Sequence, residues 1–342
     1  MSGAAKPERR SAGTIQKKRE QLDWPKDRDL RILSIDGGGI KGIFPAAVLA
    51  RLEQEYLDGQ SISEYFDYIC GTSTGGIIAL GLGAGLTAQE LLDLYLSEGQ
   101  KIFPAPRLKF LRWFQSLAFA PYDSKILKSV LENKLFDKKF GSSQSRLCIP
   151  SFDGKYGEVF VYKTNHHPDY RLDHLQDMVT IGMATSAAPT FLRPHSEGSY
   201  HLVDGGVWAN NPIMIGLVDA LSCYEVSRDR IKILSLGCGS KPYVISPWQK
   251  WLSGKLFWWD IIFAAMNLQS QNAIGQAGLL IGRDNIIRVD PDENYGGILM
   301  DDYEQASKQL PSHADSKASE YGSAIKSLFL NDKAEHYTPY NT

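Results

Sequence analysis

The hydrophobic positions of this chain follow two periodicities that predict alternating strands and helices. Short and almost continuous apolar runs, such as residues 30–35, are typical of strands that are buried on both faces. Longer segments repeat apolar residues every three or four positions, which predicts helices with one face on a core. Strands that alternate with helices predict an α/β fold with a mainly parallel central sheet and helices on both faces.

The apolar runs define seven predicted strands and eight predicted helices. The strands lie at residues 30–35, 66–69, 146–149, 159–164, 201–203, 232–236 and 285–289. The helices lie at residues 45–57, 77–86, 88–100, 124–136, 175–184, 210–221, 269–281 and 315–330. No internal repeat and no Pro/Ser-rich linker interrupts this pattern, so we expect one domain in the 342 residues rather than two.

The ends of the chain differ from its centre. Residues 1–28 are polar and basic, which predicts a flexible leader, with attraction to a membrane or a partner as the alternative. We expect the folded domain to span residues 29–335, with a variable cap region at 240–335.

A serine lies in a sharp turn between a predicted strand and a predicted helix. Residues 70–76 read CGTSTGG, in which Gly71 and Gly75 flank Ser73. In a G-x-S-x-G turn the small neighbours let the backbone pass closely and leave the hydroxyl exposed. The helix that follows directs its positive end toward this oxygen. These features predict that Ser73 is a nucleophile.

A serine nucleophile needs hydrogen-bond donors for the oxyanion that forms during acyl transfer. Residues 36–42 read DGGGIKG and follow the buried strand 30–35. Consecutive glycines before a helix expose backbone N–H groups that can surround an oxyanion. The predicted oxyanion hole consists of Gly37, Gly38 and Gly39.

The nucleophile also needs a base, and a second glycine-rich strand end offers one. Asp204 follows the predicted strand 201–203 and precedes Gly205 and Gly206. A carboxylate that is shielded from water can accept a proton directly, because burial raises its pKa. In α/β-hydrolase triads the histidine follows the acid in the chain, and only His313 and His336 do so here, both in polar surroundings. Asp204 is therefore the predicted base.

These motifs, in this order, resemble those of the patatin-like phospholipase family. The matching segments are DGGGIKG at 36–42, GTSTGG at 71–76, ATSAAPTF at 184–191 and DGGVWANNP at 204–212. The resemblance implies a three-layer sandwich and a Ser73–Asp204 dyad that hydrolyses fatty-acyl esters of membrane phospholipids. It implies neither a metal nor a cofactor. Asn210 is expected either to brace the loop of Asp204 or to cap the following helix.

A narrower resemblance is to the bacterial phospholipase effectors of cyclic-oligonucleotide antiphage signalling, CBASS. It rests on the short chain, the absence of metal motifs and a tryptophan-rich C-terminal region. It implies activation by a cyclic dinucleotide, a role in antiphage defence and formation of a homo-oligomer on activation. No residue motif identifies a nucleotide pocket.

Two alternatives use the same residues differently. Gly37, Gly39 and Gly42 match G-x-G-x-x-G, but Asp58 closes a predicted helix instead of ending a strand, so a dinucleotide site fits poorly. No Ser or Thr follows Lys41 as in a Walker motif. Lys41 is expected to be a solvated lysine at a helix start, with contact to an anionic lipid headgroup as the alternative. The two rivals to a phospholipase are a lipid-binding scaffold with an inactive site and a nucleotide-dependent enzyme.

Charge and cysteine content narrow the location and the partners. The chain has 37 Lys and Arg against 39 Asp and Glu, so nothing favours a nucleic-acid polymer as partner. Four scattered cysteines predict buried thiols in a reducing cytoplasm. His166, His167 and His174 lack metal-ligand spacing, which favours surface or capping roles.

Two segments combine aromatic residues with other features of membrane contact. Residues 107–119 mix cations with aromatic rings, which fits an interfacial segment or lid, or a helix packed on the body. Residues 247–267 are rich in tryptophan and fit a membrane surface, a core helix or a dimer interface. Their tryptophans are Trp248, Trp251, Trp258 and Trp259. No run is long enough to span a bilayer, so we expect peripheral contact at the inner membrane face.

Overall fold

A single mixed sheet forms the centre of the molecule. The computed structural model describes residues 18–104, 122–240, 244, 261–335 and 337–340. The strands are β1 (Leu30–Ile35), β2 (Tyr68–Gly71), β3 (Arg146–Asp153), β4 (Glu158–Lys163), β5 (His195–Glu197), β6 (Tyr200–Asp204), β7 (Ile231–Leu236) and β8 (Ile286–Val289). Their order is β5-β6-β3-β2-β1-β7-β8. The remaining strand, β4, lies outside this order and pairs with β3.

Most of the sheet is parallel. The pairings β3–β2, β2–β1, β1–β7 and β7–β8 are parallel, whereas β4 and β6 pair antiparallel with β3, and β5 pairs antiparallel with β6. The carboxyl ends of parallel strands meet at one edge of a sheet, which is where α/β proteins bind their ligands. The ends of β1, β2, β7 and β8 therefore converge on one side of the molecule.

Helices cover both faces of the sheet. They are α1 (Ile43–Tyr56), α2 (Thr74–Gly83), α3 (Ala88–Ile102), α4 (Ser124–Leu135), α5 (Met178–Thr185), α6 (Gly206–Ala209), α7 (Ile213–Cys223), α8 (Ile261–Ile281) and α9 (Tyr303–Phe329). Leu33 and Ile35 of β1 belong to the core under α1, α2 and α9. Leu30 and Ile32 point to the other core, under α7 and α8. This arrangement confirms the predicted α/β fold with three layers.

The predicted elements correspond to structural elements with shifted boundaries. The α9 helix begins at Tyr303 because the Asp302 side chain caps it by accepting from Gln305 N, and it continues through Pro311. The sequence pattern predicted a helix that begins only after that proline, at residue 315. It also placed no strand at β5 and no helix at α6. These two elements have three and four residues, which is too short for a periodic pattern.

Part of the predicted leader belongs to the folded body. Leu22 N donates to Cys223 O, and Glu225 N donates to Leu22 O, so this segment runs beside the end of α7. Trp24 is buried and meets Tyr224 edge to face at 5.2 Å. The prediction of a flexible segment was therefore wrong for residues 18–28. Their partners lie about 200 positions away in the chain and were invisible to a local reading.

Two of the histidines that were predicted to lie at the surface or at caps are buried. His166 Nε2 lies 2.7 Å from Asp219 Oδ2, and His167 Nε2 lies 2.9 Å from Glu20 O. Cys148, His166 and Asp219 bring three possible metal ligands within 4.8 Å of one another. The Lys163 ammonium is 2.6 Å from Asp219 Oδ1, so a protein cation already neutralises this carboxylate.

His313 is also buried, contrary to its predicted polar surroundings. Its ring stacks on Tyr295 at 4.0 Å, and its Nε2 accepts a hydrogen bond from Asp292 N. His336 lies outside the described residues.

Several other predictions concern thiols and membrane contact. All four cysteines are free and buried, as predicted. Within the described part of the chain, every helix is too short or too polar to cross a bilayer. The segment 107–119 and the residues Trp248, Trp251, Trp258 and Trp259 lie outside the described residues.

Candidate active site

The turn after β2 places Ser73 in a strained conformation at the start of α2. Ser73 has φ 55° and ψ −119°, in the left-handed region of φ that non-glycine residues rarely occupy. A Cβ on Gly71 would lie 2.0 Å from Gly75 O, and one on Gly75 would lie 2.3 Å from Ile35 O. Only glycine fits at either position, because the turn folds tightly on itself at Gly71 and packs directly against the end of β1 at Gly75.

A threonine that sequence reasoning did not single out supports this turn. Ser73 N donates to Thr185 Oγ1 at 3.1 Å, and the same hydroxyl donates to Pro150 O at 2.7 Å. Thr185 ends α5 within the ATSAAPTF segment. The only sequence feature that could have pointed to Thr185 is its position in that motif.

Asp204 ends β6 beside Ser73. Its side chain is buried, and burial raises the pKa of the Asp204 carboxyl to about 6, although a hydrogen bond with the Ser73 side chain lowers it. Gly206 N donates to Asp204 Oδ1 at 2.7 Å. Gly205 packs so closely on β3 that a Cβ there would lie 2.5 Å from Pro150 O. The structure thus brings together a hydroxyl and a carboxyl that the sequence separates widely.

The three glycines of the DGGG loop have different surroundings. Gly37 N donates to Asn210 O at 3.0 Å, so this amide already has an acceptor. Gly38 lines the same cavity as Ser73, with Cys238 packed behind it. Gly39 has φ +59° and starts the turn in which Ile40 N donates to Met300 O.

The contacts of Asn210 and Asn211 differ from the brace of the Asp204 loop and the helix cap that were predicted for Asn210. The main-chain oxygen of Asn210 braces the glycine loop through Gly37. The neighbouring Asn211 makes the capping contact, since its Oδ1 accepts from Ile213 N at the start of α7. Asn211 Nδ2 also donates to Ser270 Oγ of α8.

Lys41 is buried, contrary to the prediction of a solvated side chain. Its Nζ donates to Gly239 O at 2.6 Å, and burial lowers the pKa of the Lys41 ammonium. The turn at Gly39 directs Lys41 toward the end of β7, a neighbour that is distant in sequence. A dinucleotide site requires an acidic residue at the end of a second strand. Asp58 lies instead in the turn after α1, so this requirement is not met.

Two cavities that share part of their lining lie at this site. The smaller, of about 60 Å³, is lined by Ser73, Asp204 and Gly38 and by largely apolar walls. The larger, of about 710 Å³, has polar residues such as Lys41 and Arg288 among its lining and lies within the size range of small-molecule sites. Both cavities are lined by Gly38, Phe191, Asn210, Met266 and Met300. A ligand with an apolar and a polar part fits this pair of cavities.

Comparison with known families identifies the class of this protein. The family model described as patatin-like phospholipase matches residues 33–217, from β1 through the glycine loop, Ser73 and Asp204 to α7. The chain therefore belongs to the patatin-like phospholipase family. It has the patatin fold and is a lipid acyl hydrolase.

Among curated proteins, the similar bacterial relatives include proteins named cGAMP-activated phospholipase. The protein of Escherichia coli (strain TW11681) is 31% identical over 314 residues, which cover 84% of this chain and 87% of that protein. The protein of Vibrio cholerae is 35% identical over 238 residues, which cover 64% of this chain and 66% of that protein. A solved structure of human GIVD cytosolic phospholipase A2 with methyl gamma-linolenyl fluorophosphonate is 11% identical. The structural match covers 88% of this chain and 59% of the human chain, with a TM-score of 0.42.

Proposed function

We propose that this protein hydrolyses fatty-acyl esters of membrane phospholipids, with Ser73 as nucleophile and Asp204 as base. The observation that carries the proposal is the placement of the Ser73 hydroxyl and the buried Asp204 carboxyl in one cavity, where burial raises the pKa of Asp204 and the Ser73 hydroxyl lowers it. Gly38 lines the same cavity. A nucleophile beside a base is the arrangement that acyl transfer through serine requires.

The first half of the reaction forms an acyl-enzyme. Asp204 accepts the proton of the Ser73 hydroxyl while Oγ bonds to the ester carbonyl carbon, and the carbonyl electron pair moves to the oxygen. The tetrahedral intermediate then collapses and the bond to the alcohol oxygen breaks. The leaving oxygen takes the proton from Asp204, so the lysophospholipid departs with a free hydroxyl group.

The second half releases the fatty acid. Asp204 accepts a proton from water as the water oxygen bonds to the acyl carbon. The second tetrahedral intermediate breaks its bond to Ser73 Oγ, which recovers the proton from Asp204. The dyad returns to its starting state without any other reactant.

The oxyanion is stabilised by the amides of Gly38 and Gly39, in this proposal. Gly37 was part of the predicted oxyanion hole, but its amide donates to Asn210 O. Gly38 is the glycine that lines the cavity of Ser73 and Asp204. Donors fixed in advance, in a site that excludes water, stabilise the developing charge more than water does.

Regulation by a cyclic dinucleotide is the finer part of the proposal. Its support is the name of the E. coli and V. cholerae relatives, cGAMP-activated phospholipase. We place the enzyme in the cytoplasm, in agreement with its four free thiols, and at the inner face of the membrane during antiphage defence. Activation is accompanied by assembly into a homo-oligomer. Equal rates of lipid hydrolysis with and without cyclic dinucleotides, cGAMP included, reject this part.

The dyad is tested with a fluorophosphonate probe and with the analysis of released lipids. The wild type is expected to be labelled at Ser73 and to release fatty acid from phospholipid vesicles. Ser73→Ala and Asp204→Asn are expected to lose both activities by at least about 10³-fold. Ser222→Ala, near the end of α7 that points away from Asn211, serves as the matched control and retains both. A wild type that binds vesicles but is neither labelled nor active is instead a lipid-binding scaffold.

A further inference from the structure

The side chain of Arg288, on β8, joins two carboxylates at the ends of β1 and β8, the two strands that flank β7. Its two terminal nitrogens contact the two oxygens of Asp36, Nη1 to Oδ1 at 3.0 Å and Nη2 to Oδ2 at 2.7 Å. On its other side, Nε and Nη2 contact Asp290 Oδ2 at 3.2 and 2.6 Å. Nη1 also donates to Ser235 Oγ of β7 at 2.8 Å. All the polar atoms of this guanidinium are therefore engaged by fixed partners.

Asp36 is the residue from which the glycine loop begins. Its side chain is almost fully buried, and its main-chain nitrogen donates to Leu236 O at 3.0 Å. The next amide, Gly37 N, donates to Asn210 O. Because both its main chain and its side chain are held, Asp36 fixes the position at which the chain enters Gly37 to Gly39.

The same network reaches the other loops of the site. Asp290 Oδ1 accepts from Gly239 N at 2.8 Å, and Gly239 O in turn accepts from Lys41 Nζ just beyond the glycine loop. Ser270 Oγ of α8 donates to Asp36 Oδ2 and accepts from Asn211 Nδ2. Asn211 belongs to the segment that follows Asp204. The glycine loop and the Asp204 segment are thus connected through one buried set of polar groups.

We propose that Arg288 is a positioning residue, whose two-pronged contact with Asp36 sets the glycine-loop amides at the distance from Ser73 that the oxyanion requires. This proposal rests on the proposed function of those amides. Arg288 does not need to touch the substrate. A planar guanidinium fixes a carboxylate in two directions at once, whereas a lysine ammonium is a point charge that leaves the carboxylate free to rotate.

A simpler role would be that Arg288 only stabilises the fold or only supplies positive charge. A lone buried carboxylate is costly, so removal of Arg288 lowers stability in either case. The charge-only role predicts that Arg288→Lys keeps the wild-type rate. The positioning role predicts that Arg288→Lys loses rate almost as much as Arg288→Gln, although its charge is intact.

The experiment compares these two variants with Arg31→Gln. Arg31 is a buried arginine on β1 whose Nη1 donates to Phe329 O and Asp332 O, at the opposite end of the strand from the glycine loop. Steady-state hydrolysis of a soluble p-nitrophenyl acyl ester gives kcat and KM, a fluorophosphonate probe counts active sites, and thermal unfolding gives Tm. Any cyclic dinucleotide that raises the wild-type rate is included throughout.

For Arg288→Lys and Arg288→Gln we expect kcat per active site to fall on the order of 10–100-fold, with KM within about twofold. Arg31→Gln is expected to lower Tm and to retain kcat. Ser270→Ala removes one bond to Asp36 and one from Asn211 while Arg288 stays in place, and it is expected to reduce kcat several-fold with little change in Tm. This variant keeps the test decisive where a change at Arg288 prevents folding.

The proposal is overturned by a wild-type kcat in Arg288→Lys, or in Ser270→Ala when Arg288 variants do not fold. A loss of kcat in Arg31→Gln equal to that in Arg288→Lys overturns it as well, since the effect would then follow stability alone. A different result would reject the proposed function itself, because Ser73→Ala would then retain hydrolysis. An inactive Ser73→Ala beside a fully active Arg288→Lys rejects only the positioning role.

Discussion

Asp204 lies opposite Ser151 in the antiparallel pairing of β6 with β3. The first half of β3 pairs with β2 only as far as Cys148, opposite Cys70. Ser151 is therefore beyond the last pair that β3 shares with β2, and β6 occupies the space where β2 has already turned away at Ser73. The excess length of β3 over β2 is what brings the carboxyl beside the hydroxyl.

The pH dependence of hydrolysis follows from the pKa of Asp204. Burial raises the pKa of Asp204 to about 6, and only the ionised carboxylate can accept the Ser73 proton. We expect kcat/KM to rise tenfold per pH unit below about pH 6 and to reach a plateau above it. Initial rates on a soluble ester between pH 4 and 8 measure this profile.

Asp36 could produce a similar profile, since burial raises its pKa to about 6 as well. Asp36→Asn separates the two groups. An ascending limb that remains near pH 6 in this variant, even at a lower plateau, belongs to Asp204. A limb that disappears assigns the titration to Asp36.

Thr185 is predicted to control the geometry of the turn at Ser73. Thr185→Val keeps the shape of the side chain but leaves Ser73 N and Pro150 O without the hydroxyl that both contact. Because unpaired buried groups each cost about 1–3 kcal/mol, Tm should fall, and labelling of Ser73 by the fluorophosphonate should slow. Thr185→Ser retains the hydroxyl and is expected to restore both. Equal labelling rates in the Val and Ser variants would contradict this role.

Two glycines within helices provide a paired test of the close approach at the turn. Gly75→Ala would place a Cβ 2.3 Å from Ile35 O and 2.7 Å from Asp36 O, both main-chain atoms that cannot move aside. Among the residues that the structure describes, none has an atom within 4 Å of the Cβ position of Gly275 in α8. We expect Gly75→Ala to abolish labelling and to lower Tm sharply. Gly275→Ala should raise stability by about 0.5–1 kcal/mol, as alanine does in a helix. Thermal unfolding of both variants provides the check.

The features that the sequence revealed are those that depend on neighbouring residues. The apolar runs marked β1 and β7, and the glycine spacing marked the turn at Ser73, because backbone geometry imposes both locally. The burial of Lys41, His166 and residues 18–28 depends on partners far along the chain, so their surroundings were misread. Arg288 has no motif around it. Only the alignment of β8 with β7 carries it to Asp36.

Glu53 of α1 is predicted to make stability depend on pH without affecting the site. Burial raises the pKa of the Glu53 carboxyl to about 7, and its oxygens accept from Ile62 N and Ala88 N with no cation nearby among the hydrogen-bond and ion-pair partners of the described residues. The folded state therefore holds a proton that the unfolded chain releases near pH 4.5. The stability that this proton contributes is complete below about pH 4.5 and is lost as pH rises toward 7.

Glu53→Gln removes this titration and replaces one acceptor with a donor that faces Ala88 N. We expect the free energy of unfolding to be about 1–3 kcal/mol lower than that of the wild type near pH 7. Between pH 4.5 and 7 it should fall less steeply with pH than in the wild type. Glu55→Gln, two positions along the same helix and exposed, controls for the change of charge and should retain the wild-type slope. Denaturant unfolding at several pH values measures both slopes. Identical slopes in the wild type and Glu53→Gln would show that Glu53 does not carry the pH dependence.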